Sequence, residues 1–298
     1  MGALDGRVAV VTGAGRGIGA SIARLLGTQG ARVVVNDLGV SLDGSEPDEG
    51  PARVVADEIK AAGGEAVADD SDVTDFAAGA KLVGRAIETF GRLDVVVNVA
   101  GILRDRMVFN MSEDEWDAVI RVHLRGSFVT TRHAAAHWRR SADPDGHYRL
   151  VNFTSVSGLH GSPGQPNYAA AKMGIVGLTY SCANALGRYG VTANAVSPAA
   201  ATRMTQSVPE ERRRTSSSGD ERSPDNIAPI VCYLASERSD WLTGQVISAR
   251  GYEVGLYDTP HVVRQIVSDA PWDMERLAEL VERNFRPVVS AERTTARS

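Results

Sequence analysis

The stretch Thr12-Gly-Ala-Gly-Arg-Gly-Ile-Gly19 decides the fold through what stands on either side of it. Before it runs Val8-Ala-Val-Val-Thr12, short, apolar and β-branched, the composition of a strand covered on both faces. After it, Gly19–Gln29 carries apolar residues at helical spacing. A strand, a glycine-rich turn and a helix in direct succession open a dinucleotide-binding βαβ unit. Glycine permits the tight turn and lets backbone N–H groups approach a pyrophosphate at the positive end of the helix dipole. Glycines also serve ordinary tight turns; the agreement of strand, spacing and helix is what points to a nucleotide. Gly13, Arg16, Gly17, Ile18 and Gly19 are the candidate contacts.

Outward from this turn the same alternation repeats. Val8–Thr12, Ala31–Asp37, Ala66–Asp69, Val95–Asn98, Arg149–Thr154, Thr192–Ser197 and Gln245–Ser248 read as strands. Gly19–Gln29, Ala52–Ala62, Phe76–Phe90, Glu113–Arg139, Tyr168–Tyr189 and Pro224–Leu234 read as helices. Each right-handed crossover helix must cover one face of a parallel sheet. The expected fold is α/β, a single Rossmann-type doubly wound parallel sheet flanked by helices, with residues 1–298 forming one domain. Gly39–Pro51 reads as a surface excursion, 204–223 as a substrate lid, 251–286 as a C-terminal extension with a helical pattern, and 291–298 as a solvated tail. There is no internal repeat.

Bulk properties narrow the function classes. With 32 Lys and Arg against 37 Asp and Glu, the formal charge of −5 gives no global attraction for nucleic acid or an anionic membrane. Cys182 and Cys232 have neither metal-ligand nor redox spacing and read as buried free thiols. No apolar run reaches a membrane span, and no signal segment precedes Arg7-Val-Ala-Val-Val11, so a cytoplasmic protein with no metal site is expected.

The second strand ends at Asp37, about 20 residues beyond the glycines, where a carboxylate can accept hydrogen bonds from the adenosine ribose. That favours NAD, since a 2′-phosphate would be repelled, although Arg16 pulls the other way. Farther on, Thr154-Ser155 ends a strand, and Tyr168 and Lys172 stand one helical turn apart on one face. A tyrosine titrates too high for proton exchange at neutral pH, and an adjacent ammonium is expected to bring it down. Lys172 supplies that ammonium and can hold the nicotinamide ribose. Ser155 can steady charge developing on a substrate oxygen. A Tyr and Lys four apart are commonly only a surface pair; their occurrence with Ser155 and the glycine turn argues for catalysis.

On these residues the chain resembles the short-chain dehydrogenase/reductase superfamily from Gly6 to Ala249. The resemblance implies adenine contacts at Asp72 and Val73, a turn at Asn98-Val-Ala-Gly101 placing Asn98, Ala100 and Gly101 at the coenzyme, and closure over the nicotinamide by Pro198 and Thr202. Val99 stands where the family usually has a second asparagine, and His123 where it commonly has an asparagine that anchors a relay water. Whether His123 relays protons or packs is left open, since imidazole does either. Asn36-Asp-Leu-Gly39, Gly101-Ile-Leu-Arg-Asp-Arg106, Arg121–Phe128 and Ala201–Thr205 are similar to the (3R)-hydroxyacyl-CoA dehydrogenase modules of peroxisomal multifunctional enzyme type 2 and stand-alone bacterial relatives.

This second resemblance implies oxidation of a 3-hydroxyacyl-CoA to its 3-oxoacyl-CoA. Arg104, Arg106 and Arg212-Arg-Arg214 are candidates for the CoA phosphates, with solvated surface arginines as the alternative. A steroid or small secondary-alcohol dehydrogenase would use the same residues, with Met204 and Val208 in the lid. A non-catalytic NAD-binding scaffold is the reading of another class, opposed by the intact Ser155, Tyr168 and Lys172. In similar enzymes the helices corresponding to Glu113–Arg139 and Tyr168–Ala185 pair subunits, which implies a homodimer or homotetramer.

Overall fold

The computed structural model describes residues 2–39, 50–141, 143, 145–200 and 219–295. Eight strands form one sheet: β1 Val8–Thr12, β2 Arg32–Asn36, β3 Glu65–Asp69, β4 Val95–Asn98, β5 Tyr148–Phe153, β6 Val191–Ala199, β7 Val246–Arg250 and β8 Glu253–Leu256. Their order is β3-β2-β1-β4-β5-β6-β7-β8, parallel throughout except for β8, which runs antiparallel to β7. Strand order reverses between β1 and β4, so a crevice opens beyond Thr12 and Asn98, which are paired at the carboxyl ends of these two strands.

The helices are α1 Gly17–Thr28, α2 Pro51–Ala61, α3 Phe76–Phe90, α4 Glu113–Ile120, α5 Gly126–Ser141, α6 Val156–His160, α7 Pro166–Leu186, α8 Ala228–Ala235 and α9 Met274–Thr295. Alternate residues of β1 serve opposite cores, as the period of two requires. Ala9 and Val11 pack with Ile22, Leu26, Val55 and Val231, against α1, α2 and α8. Val8 and Val10 pack with Leu82, Leu93, Trp138 and Leu150, against α3 and α5. Both faces of the sheet are therefore covered, the condition under which strands read as continuous apolar runs.

Several boundaries depart from expectation. The helix expected over Glu113–Arg139 is interrupted by a π-helical turn at Arg121–Arg125. Its start is well specified, since Ser112 and Glu115 form a reciprocal capping box. Short helix α6 and strand β8 went unanticipated; β8 is exposed at all four residues and offers no buried face to read from sequence. Pro224–Asn226 is a 3₁₀ turn before α8, and Gly219–Arg222, within the expected lid, is another. Residues 40–49, 201–218 and 296–298 lie outside the described residues, and with them most of the expected lid.

Residues 258–298 make a compact unit of their own. There Asp273 Oδ1 accepts from the N–H of Arg276 at 3.0 Å and starts α9, which runs past the expected extension into the expected tail. Cys232 is buried and Cys182 half-buried, and both are free thiols. Among the described residues no helix is long and apolar enough to cross a membrane.

Candidate active site

The glycine turn is shaped by close approaches that only glycine allows. Gly13 has φ +63°, and a Cβ there would lie 2.7 Å from the Cα of Ala100; one on Gly19 would lie 2.2 Å from the carbonyl oxygen of Gly13. Gly17, at φ +53°, begins α1. Asp37 reaches this turn from the end of β2: its Oδ2 accepts from the N–H of Gly15 at 2.9 Å and its Oδ1 from that of Gly39 at 2.9 Å. The carboxylate thus stands beside the turn. Arg16 and Ile18 flank it and are partly exposed.

Across the crevice, Thr12 Oγ1 accepts from the N–H groups of Val99 and Ala100 at 3.1 and 3.3 Å, joining the end of β1 to the turn after β4. Sequence reasoning passed over Thr12, whose side chain has no signal beyond its place at a strand end. Asn98 differs from its expected place at the coenzyme. Its side chain is buried, accepting from Thr130 Oγ1 at 2.6 Å and donating to Asn152 Oδ1 at 2.9 Å, so it supports the turn from behind. Asp72 closes a local turn by accepting from the N–H of Thr74 at 2.8 Å, and Val73 is buried beneath α5. Pro198 lies near the end of β6, partly exposed. Thr202 and Arg212–Arg214 lie outside the described residues.

Ser155, Tyr168 and Lys172 are brought together beyond the end of β5. Ser155 caps α6, its Oγ accepting from the N–H of Ser157 at 3.2 Å, and its hydroxyl faces the Tyr168 phenol closely enough to favour the phenolate. Tyr168 and Lys172 share one face of α7, the Lys172 Nζ lying 5.5 Å from the centre of the Tyr168 ring. Lys172 is fully buried and donates to the carbonyl of Phe153 at 2.7 Å, while Thr154 Oγ1 donates to the Lys172 carbonyl at 2.8 Å. Helix α7 is therefore tied at two points to the strand end that carries Ser155.

The electrostatics correct one expectation. Burial pushes the Tyr168 phenol up to about 12, against the lowering effect of the Ser155 hydrogen bond and with the Asp105 charge adding to the rise. Burial pushes Lys172 down to about 7. In the chain by itself, then, the ammonium does not bring the phenol into the working range, because desolvation acts on both groups and favours their neutral forms.

His123 sits behind this pair. It is buried, its ring meets Tyr168 edge-on with centroids 5.0 Å apart, and its Nε2 lies 2.8 Å from the carbonyl oxygen of Ile102. Burial, then the charge of Lys172, hold it well below the usual imidazole range, against the bond to Ile102. It is neutral at pH 7, and Nδ1 is buried without a partner among the described residues. A Cβ on Gly101 would lie 2.2 Å from His123 Cε1, so Gly101 is required by packing. His160 stands apart, exposed and tilted against Tyr257. Among the described residues no cluster of three His, Cys, Asp or Glu side chains is placed to hold a metal ion.

A model of the short chain dehydrogenase family matches residues 7–213. The chain belongs to this family. It is 46% identical over 292 residues to hydroxyacyl-CoA dehydrogenase ChsB1 of Mycobacterium tuberculosis, covering 95% of this chain and 89% of that protein. It is 43% identical over 260 residues to peroxisomal multifunctional enzyme type 2 of Drosophila melanogaster, covering 87% of this chain and 41% of that longer protein. The crystal structure of a short chain dehydrogenase from Mycobacterium avium superposes with a TM-score of 0.84 at 48% identity, covering 95% of both chains. The resemblances read from the glycine turn, Ser155, Tyr168 and Lys172 hold, as does the doubly wound fold.

Proposed function

We propose that this short chain dehydrogenase is an NAD-dependent oxidoreductase that interconverts a 3-hydroxyacyl-CoA and its 3-oxoacyl-CoA. The observation that carries the reading is the meeting of Ser155, Tyr168 and Lys172 at the sheet end where the glycine turn opens the coenzyme crevice. The cradle suits a dinucleotide: Gly13 and Gly19 leave backbone where side chains would otherwise stand, and α1 presents its positive end. Asp37 at the tip of β2 suits an unphosphorylated ribose. The acyl-CoA substrate is supported by the likeness, over 95% of this chain, to the hydroxyacyl-CoA dehydrogenase ChsB1.

NAD held in this cradle would supply the hydride acceptor for oxidation and, once reduced, the hydride donor for reduction. Within the chain, the Ser155 hydroxyl holds the substrate oxygen as its charge changes. Tyr168 takes the alcohol proton in oxidation and returns it in reduction. Lys172 aligns α7 with β5 through Phe153 and, when charged, favours the phenolate. On this reading Gly13, Arg16, Gly17, Ile18, Gly19, Asp37, Asp72, Ala100, Gly101 and Pro198 serve the coenzyme side, with Val73 and Asn98 supporting it from behind.

Steady-state assays of a 3-hydroxyacyl-CoA with NAD and with NADP test the reading, alongside the free 3-hydroxy acid and a hydroxysteroid. Turnover is expected with the CoA ester and NAD, and to fall by about 10²- to 10⁴-fold in Tyr168→Phe. Higher efficiency with NADP refutes the role of Asp37, and equal efficiency with the free acid removes CoA. Coenzyme binding without turnover on any substrate makes the chain a scaffold. We also infer a homo-oligomer, because Phe128 on α5 and Met173 on α7 stand 45% and 43% exposed on the helices expected to pair subunits. Light scattering tests it, a monomer refuting it.

A further inference from the structure

The start of α7 is bound to the segment after β4 by a set of contacts that the reaction scheme above leaves without a role. Arg106 donates its N–H to the carbonyl of Gly164 at 2.7 Å. Asn167, fully buried, donates to the carbonyls of Arg104 and Glu115 at 3.0 and 2.9 Å, and its Oδ1 accepts from the N–H of Tyr168 at 2.7 Å. Gln165, the residue that precedes the first turn of α7, is held at both ends. Its Oε1 accepts from Ser157 Oγ at 2.9 Å, and its Nε2 donates to Asp105 Oδ2 at 2.9 Å. Ser157 in turn donates its N–H to Ser155 Oγ at 3.2 Å. One hydrogen-bonded line therefore runs from Asp105 at the rim through Gln165 and Ser157 to Ser155.

The charges along this line are unevenly matched. Arg106, the neighbour of Asp105, is paired with Glu115 on α4 at 3.0 Å. Arg104 is bent back toward the carbonyl of Leu103 at 3.5 Å. Behind Tyr168 stand buried Lys172 and neutral His123. Among the described residues the side-chain partner of Asp105 is the uncharged amide of Gln165, so this exposed carboxylate has no cationic partner there, and its charge adds a lesser influence to the burial of the phenol.

We propose that Asp105 and Gln165 are positioning residues for Tyr168: Gln165, anchored by the Asp105 carboxylate, fixes the first turn of α7 against Ser155, and that carboxylate adds a negative charge to the rim of the site. The inference rests on the proposed dehydrogenase chemistry and deepens it. A negative charge at the rim adds to burial in disfavouring phenolate, so the site is biased further toward its proton-donating form, the form that serves ketone reduction. Burial raises the Asp105 carboxyl somewhat, against the Gln165 hydrogen bond, which sets the lower edge of the range in which this bias acts.

Asp105→Asn separates the two roles, because the amide oxygen still accepts from Gln165 while the charge is gone. With NAD and a 3-hydroxyacyl-CoA, the rising limb of kcat against pH is expected to move to lower pH by about half a unit, a gain of about threefold at a fixed pH below the limb. The ultraviolet difference absorbance of tyrosinate after a rapid pH jump, taken against Tyr168→Phe, is expected to move in the same direction. Gln165→Met keeps the bulk and removes both hydrogen bonds; kcat is expected to fall about tenfold with KM little changed. An unmoved limb and unmoved tyrosinate titration in Asp105→Asn overturn the proposal, as does an unaltered kcat in Gln165→Met. The absorbance titration needs no substrate, so a wild-type chain inactive on the CoA ester counts against the proposed function and leaves this test intact.

Discussion

Replacing Lys172 with Met removes a buried amine whose proton is disfavoured by its surroundings. Its folded value near 7 lies about 3.5 units below the ordinary 10.5. At about 1.36 kcal/mol per unit, folding with a protonated Lys172 costs on the order of 5 kcal/mol. The sign follows from proton binding: between the two values the unfolded chain holds a proton that the folded chain has lost, so this contribution to stability rises with pH. The cost is largest at and below pH 7 and fades as pH climbs toward 10.5. At pH 7 nearly all of it remains; by about pH 9 it shrinks to about 2 kcal/mol. Methionine follows the aliphatic stem and forfeits the bond to the Phe153 carbonyl, a loss of about 1 kcal/mol that does not vary with pH. The stability of Lys172→Met relative to wild type is therefore expected to drop by about 2 kcal/mol between pH 7 and pH 9, as the wild-type chain gains. Urea unfolding of both proteins at several pH values, without coenzyme, measures this double difference, in which other titrating groups cancel. A difference constant across that range would refute the assignment of a proton-shedding amine to this site.

Gly101→Ala drives a methyl group into the His123 ring and should cost about 2–3 kcal/mol in urea unfolding; adding His123→Ala should recover part of that cost, and strict additivity would show that the two do not collide. Asn98→Leu strands the buried Thr130 and Asn152 side chains and is expected to lower stability by about 2–3 kcal/mol while weakening NADH binding measured by fluorescence. Arg149, fully buried, donates to the carbonyls of Ser236 and Tyr148 and pairs with Asp240, so Arg149→Ala should cost about 3 kcal/mol or more, with Arg149→Met milder because it keeps the packing volume. Equal losses in the last two variants would show that the polar contacts, not the volume, dominate.

The glycine turn, β1, β4 and α3 were legible because each carries its own local signal: a β-branched run, a steric need for glycine, or an aspartate cap. Asp75 caps α3 by accepting from the N–H of Ala78. Ser155, Tyr168 and Lys172 were legible because a strand end and a helical spacing together imply one face. The parts that escaped depend on partners far away in the chain. Asn98 looks like a crevice residue until Thr130 and Asn152 claim its amide. The lowering of the phenol anticipated from spacing alone is outweighed by burial, a property of the whole packed site. Strand β8 escaped because an exposed edge has no alternation to betray it.

The widened turn at Arg121–Arg125 makes the long helix around it tolerant in one respect and intolerant in another. Such a turn holds one residue more than an α-helical turn, so deleting a residue here could leave the backbone hydrogen bonding continuous. Every position beyond the deletion would nonetheless swing by about 100° about the axis. Either the imidazole would leave its seat under Gly101 and Tyr168, or Thr130 would turn away from Asn98. The surplus residue sets the phase between the two halves of the helix, so that one half seats the imidazole against the Tyr168 ring while the other braces the crevice floor.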